Sequence, residues 1–109
     1  MIINSGFIGI IMYDIPVQNG MMRKNYVNFR NELLRKGYYQ IQESIYICKF
    51  KNKSTATLHA RELRNIAPLQ SNVRMLTLTK TQFNQMEVIA GDKTFNEKIL
   101  TTEKLILEL

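Results

Sequence analysis

Two sets of side chains in this 109-residue chain have the types and spacing to do chemistry. The first is a single carboxylate. Asp14 comes near the end of Gly6-Phe7-Ile8-Gly9-Ile10-Ile11-Met12-Tyr13-Asp14-Ile15-Pro16. That apolar, β-branched run reads as a central strand buried on both faces. Pro16 lacks an N–H and pushes Ile15 into an extended conformation, so strand pairing should stop there. Asp14 is left at the strand tip, where a rigid scaffold meets a loop and functional groups concentrate. The competing role is structural, because an aspartate just before a proline also forms turns with nearby backbone N–H groups. The second set is cationic. Arg23, Lys24, Arg30, Arg35 and Lys36 stand against one acid, Glu32, on the polar side of a helical repeat, where they suit contact with phosphate.

Bulk charge points the same way. The formal net charge is +6. Residues 1–80 carry 12 Lys and Arg against 4 acids, a net +8, and residues 81–109 carry 3 against 5, a net −2. A basic body suggests a polyanionic partner, with nucleic acid first among candidates; a merely solubilising surface is the plainer alternative. One cysteine, Cys48, and one histidine, His59, leave a single chain without a disulfide, a thiolate metal cluster or a paired-histidine site. Cys48 should be a buried small hydrophobe and His59 a helix-surface residue. The first fifteen residues lack a basic n-region and a small-residue cleavage site, and the apolar run is too short to span a bilayer. A cytoplasmic location is expected.

The elements that must hold these residues follow from periodicity. Asn19 can cap a helix whose inner face is Met22, Tyr26, Phe29 and Leu33, widened by Val27 and Leu34 and ended by Gly37. Residues 38–43 and 45–50 are strand-like, either a tight hairpin about Ser44 or one bent strand with a bulge. Ser54 is a plausible cap for a second helix lined by Ala56, Ala60, Leu63 and Ala67 and closed by Pro68. Residues 73–79 alternate as a strand, 80–86 form a short helix capped by Thr79, and 87–90 offer a brief strand. A polar linker then leads to a last apolar run, residues 105–109. The order β-α-β-β-α-β defines an α+β, ferredoxin-like fold with an antiparallel sheet and both helices on one face. The expected division is a domain over 1–91 and a linker with a C-terminal extension strand over 92–109. A first strand apolar on both faces needs cover on its second face, which a face-to-face homodimer would supply. The C-terminal strand would add to the partner's sheet edge.

Four pieces in order carry a resemblance. Ile10-Ile11-Met12-Tyr13-Asp14-Ile15-Pro16, then Arg23-Lys24-Asn25-Tyr26 with Phe29-Arg30, then Gly37-Tyr38 and Gln42-Glu43-Ser44-Ile45-Tyr46, and last Leu76-Thr77-Leu78-Thr79-Lys80-Thr81-Gln82-Phe83 together resemble the small CRISPR-associated endoribonuclease family. This is the non-integrase subunit of the spacer-acquisition machinery, and the last piece is similar to the branch found with type II systems. The resemblance implies a homodimer with a Mg²⁺ site between protomers, held by Asp14 of each chain, which would also make Asp14 the catalytic residue for hydrolysis of a phosphodiester in RNA or DNA. Mg²⁺ keeps several waters, so one or two carboxylates suffice. It also implies a scaffold that bridges integrase dimers and holds prespacer duplex DNA. Arg23, Lys24, Arg30, Arg35, Lys36, Lys49, Lys51 and Lys53 are the expected contacts.

Three other classes fit less well. A virulence-associated-protein-D-type ribonuclease toxin shares the fold and the strand-end aspartate. An RNA-recognition module needs glycines and aromatic spacing that Ile45-Tyr46-Ile47-Cys48-Lys49-Phe50 lacks. A small-molecule-sensing dimer would want a Gly-rich ligand loop, and none is visible.

Overall fold

The structure, a computed structural model, describes residues 6–91. Its elements run β1 (Phe7–Asp14), α1 (Gly20–Arg35), β2 (Tyr39–Gln42), β3 (Ile45–Phe50), α2 (Lys53–Ile66), β4 (Asn72–Thr79) and α3 (Lys80–Asn84). The four strands form one antiparallel sheet in the order β2-β3-β1-β4. This is the expected βαββαβ arrangement, with α3 added after it. The linker and terminal strand expected over 92–109 lie outside the described residues.

Local chemistry sets the element ends. The Asn19 side chain accepts from Met22 N at 2.9 Å, which starts α1. Gly37, at φ +92°, reverses the chain after it. The Tyr38 N–H then reaches Leu33 O at 3.0 Å and the Gly37 N–H reaches Leu34 O at 3.1 Å, the paired closure of a Schellman motif. Phe29 and Leu33 are buried, whereas Val27 and Leu34 are exposed and do not widen the inner face. At about 100° per residue they stand roughly 140–160° round the helix from Phe29, nearly opposite the core. The cap of α2 also differs from expectation. Asn52, not Ser54, accepts from Thr55 N at 2.9 Å; Ser54 already lies within the helix. Residues 38–50 form a hairpin turning at Glu43 and Ser44, with a bulge between Gln40 and Gln42. Thr79 caps α3 in a capping box with Gln82. Residues 87–90 are not a strand: Val88 and Ile89 are exposed and the backbone there is irregular.

The sheet has two unlike faces. Under α1 and α2, a core of Ile11, Tyr13, Phe29, Leu33, Tyr46 and Leu63 is fully enclosed. Gly9 permits the close packing there, since a Cβ on it would stand 2.6 Å from Phe50 Cε2 and 2.9 Å from Met75 Cε. On the other face a smaller cluster, Ile8, Ile41 and Ile47, is closed by Phe83 of α3. That cover stops part way along. Met12 is 38% and Leu76 55% exposed, so β1 is buried on both faces only at its α3 end.

Candidate metal centre and nucleic-acid surface

Asp14 ends β1 on the face away from α1 and α2, because Ile11, Tyr13 and Ile15 take the alternate positions in the enclosed core. Its cross-strand partner is Asn72, and the next position along that face pairs Met12 with Arg74. Asp14, Asn72 and Arg74 are all exposed. They make a polar corner at one end of the open face, with the apolar Ile10, Met12 and Leu76 between it and α3. Among the described residues no three His, Cys, Asp or Glu side chains converge on a metal-sized site. Asp14 is the carboxylate that the β1–β4 register places at this corner. The donor chemistry fits Mg²⁺ if a second copy brings another, since that ion takes oxygen ligands and retains waters.

The cations expected to meet nucleic acid are not gathered round Asp14. Arg23, Lys24 and Arg30 are exposed on α1, and Arg23 Nε donates to Val17 O at 3.3 Å in the loop that follows Asp14. Arg23 and Arg30 share a stripe with the exposed Val27 and Leu34, being spaced i, i+4, i+7 and i+11. Arg35 and Lys36, a helix length away, already face carboxylates. Arg35 pairs with Glu32 at 2.6 Å and Lys36 with Glu62 at 3.8 Å. The Arg35 hydrogen bond holds the Glu32 carboxyl below its usual range. Lys49 lies on β3 opposite Ile8. Lys51 follows β3, and Lys53 at the start of α2 places Nζ 5.8 Å from the centre of the Phe7 ring. Phe7 and Asp14 are opposite ends of an eight-residue strand, so these lysines stand roughly 20 Å from the carboxylate.

Arg74 was not among the expected contacts. The alternation of Asn72-Val73-Arg74-Met75 marks Arg74 as outward-facing, but only the β1–β4 register shows that it shares the face of Asp14. His59 also departs from expectation. It is half-buried on α2, its Nδ1 lies 3.1 Å from Tyr38 Oη, and its ring meets Phe50 edge-on at 4.8 Å. Cys48 is buried as expected, and burial pushes its thiol up, away from nucleophilic use.

Two hollows among the described residues do not involve Asp14. One is a groove of about 800 Å³ between α2 and β4, floored by Ala56, Ala60, Leu63, Val73 and Met75, and no acid among the described residues lines it. A smaller one of about 410 Å³ is lined by Ile15, Pro16, Met22, Pro68 and Leu69; it has no titratable side chain. Asp14 lies on an open surface.

A ferredoxin-like sheet with an exposed carboxylate at the end of its first strand, and a basic first helix, defines a small α+β protein. The family model described as "CRISPR associated protein Cas2" matches residues 7–86, and the chain belongs to that family. It is 35% identical over 98 residues to a protein of Campylobacter jejuni named CRISPR-associated endoribonuclease Cas2, covering 90% of this chain and 68% of that one. A relative of the same name from Parvibaculum lavamentivorans is 34% identical over 84 residues, covering 77% and 83%. Among solved structures, a hypothetical protein of Thermus thermophilus superposes with TM-score 0.56 at 24% identity, over 84% of this chain and 98% of that one. Streptococcus pyogenes Cas2 does so with TM-score 0.56 at 19% identity, over 76% and 99%; these two likenesses show the fold.

Proposed function

We propose that this chain is the non-integrase subunit of a spacer-acquisition complex, a homodimer that bridges integrase dimers and holds prespacer duplex DNA by its phosphates. The observation that carries the reading is the half-covered second sheet face. Met12 and Leu76 lie open, and Ile10 is only partly buried, beside a closed apolar cluster, and a second copy packed there would bury them. Exposed cations on the outer side of α1, Arg23, Lys24 and Arg30, remain available in such a dimer for contacts that position a duplex without reading its sequence.

Phosphodiester cleavage is a separable activity of the same dimer. Asp14 from each protomer would hold Mg²⁺, which supplies polarisation of a phosphodiester oxygen and a bound water of lowered pKa. The chain itself contributes the two carboxylates and a rigid strand end to hold them. One carboxylate per chain, with His59 engaged in packing against Tyr38 and Phe50, is a thin hydrolytic apparatus; the scaffold role is therefore the primary one.

Co-expression with the neighbouring integrase subunit tests the proposal. The expected outcome is a stable complex containing two copies of this chain. No complex, together with Mg²⁺-dependent RNA cleavage by the chain alone, would make it a free-standing ribonuclease instead.

A further inference from the structure

The polar corner of the open face contains a cation that the scaffold and the Asp14 carboxylate leave unassigned. We propose that Arg74, assisted by Asn72, grips a non-bridging oxygen pair of the phosphodiester group presented to Asp14. This inference rests on the reading of Asp14 as the point where a nucleic-acid backbone meets the dimer.

Register carries the argument. Asn72 lies directly across from Asp14 and Arg74 directly across from Met12, so Arg74 is the diagonal neighbour of Asp14 on the same face. Directly opposed Cβ atoms in a sheet are about 5 Å apart and diagonal ones about 7–8 Å, which leaves room for one phosphate group between a carboxylate-bound cation and a guanidinium. Arg74 is not spent elsewhere. It is exposed and takes no part in the ion pairs Arg35–Glu32 and Lys36–Glu62. Asp14, the nearest acid along its own sheet face, is not bonded to it. A planar guanidinium offers two parallel N–H donors that match two phosphate oxygens, and the Asn72 amide can donate a third bond.

Surroundings favour this over a purely solvating role. Leu76, two residues along β4, and Met12, across from Arg74, are apolar and belong to the patch that a second copy would cover. An arginine at the border of such a patch loses water when the patch is covered and then needs an anion. The phosphate backbone is an anion that both strands of a duplex, or an RNA, present in regular supply. The alternative anion is the Asp14 carboxylate of the second copy, which would make Arg74 a dimer contact.

The test titrates the full-length protein with a labelled 20-base-pair DNA duplex, and in parallel with an RNA strand of the same sequence, over a series of salt concentrations. Variants are Arg74→Gln, Arg74→Lys and Asn72→Ala, with folding checked by thermal melting and mass in solution by light scattering. Arg74→Gln should stay folded and dimeric, weaken binding about fivefold or more near 0.1 M salt, and lower the salt slope by about one per protomer. Arg74→Lys should keep the slope but lose part of the affinity, because the charge remains and the fork does not. A loss with one probe only identifies whether DNA or RNA occupies the corner. Unchanged affinity and slope in Arg74→Gln, while wild type binds, would overturn the phosphate role alone. Dissociation of the Arg74→Gln dimer would overturn it in favour of the dimer contact. Absence of binding by wild type to either probe would overturn both this inference and the reading of Asp14 beneath it.

Discussion

At the scale of single residues, the interior contains groups whose polarity works against the fold. Tyr13 and Tyr46 stack with centroids 5.9 Å apart, and both hydroxyls are buried without a hydrogen-bond partner among the described residues. A buried hydroxyl with no partner keeps its desolvation cost. Tyr46→Phe removes that cost without changing shape, so it should stabilise the protein by about 1 kcal/mol, read as a higher denaturant midpoint with unchanged m-value. Burial, chiefly, also raises the Tyr13 and Tyr38 phenols above their ordinary range, with Tyr46 adding to the first and Cys48 to the second. A folded-state pKa above the unfolded one means the stabilising contribution is complete below about pH 10, where unfolded tyrosine ionises, and is lost above it. Stability should decline as pH rises past about 10, and Tyr38→Phe should make that decline shallower. Denaturation midpoints measured at pH 8 to 11 decide this.

At the scale of elements, most of the architecture was legible in the sequence. Met22, Tyr26, Phe29 and Leu33 recur at helical spacing, and Asn19 and Gly37 bracket them with the cap and the reversal that a helix needs. What misled was local degeneracy. Asn52 and Ser54 are both good capping types, and the choice depended on Lys53 already being helical. Asn52→Ala should therefore cost about 1 kcal/mol, whereas Ser54→Ala should be nearly neutral; paired urea titrations of the two variants separate these outcomes. Glu87-Val88-Ile89-Ala90 looked like a strand because β-branched residues favour one, yet no sheet edge pairs with it among the described residues. Strand propensity without a partner strand gives no strand. The site divides in the same way. The strand-end position of Asp14 could be read because an apolar run, a carboxylate and a proline are adjacent in the chain. Arg74 could not, because it reaches the same corner through a register between strands 58 residues apart in sequence, from Asp14 to Asn72, which no local pattern fixes.

At the scale of the whole molecule, the two faces of the sheet differ. The helix-covered face holds the domain together, and among the described residues the other is closed by Phe83 only at one end, where the proposed dimer would place a second copy over the rest. A charge placed in the middle of that open patch should prevent a second copy from covering it while leaving the enclosed core untouched. Leu76→Asp is expected to melt cooperatively yet run as a monomer of 12.8 kDa, where the proposed wild-type dimer should run at twice that mass. Light scattering reads this directly. Under the proposed function, duplex holding belongs to the exposed cations, Arg74 among them, and cleavage to the Asp14 pair. The most direct measurement is duplex binding by the integrase complex assembled with wild-type chain or with Asp14→Ala, alongside a Mg²⁺-dependent cleavage assay. The two complexes should bind duplex with the same affinity and the same steep salt slope, and any cleavage should vanish in the variant. Joint loss of binding and cleavage in Asp14→Ala would contradict the claim.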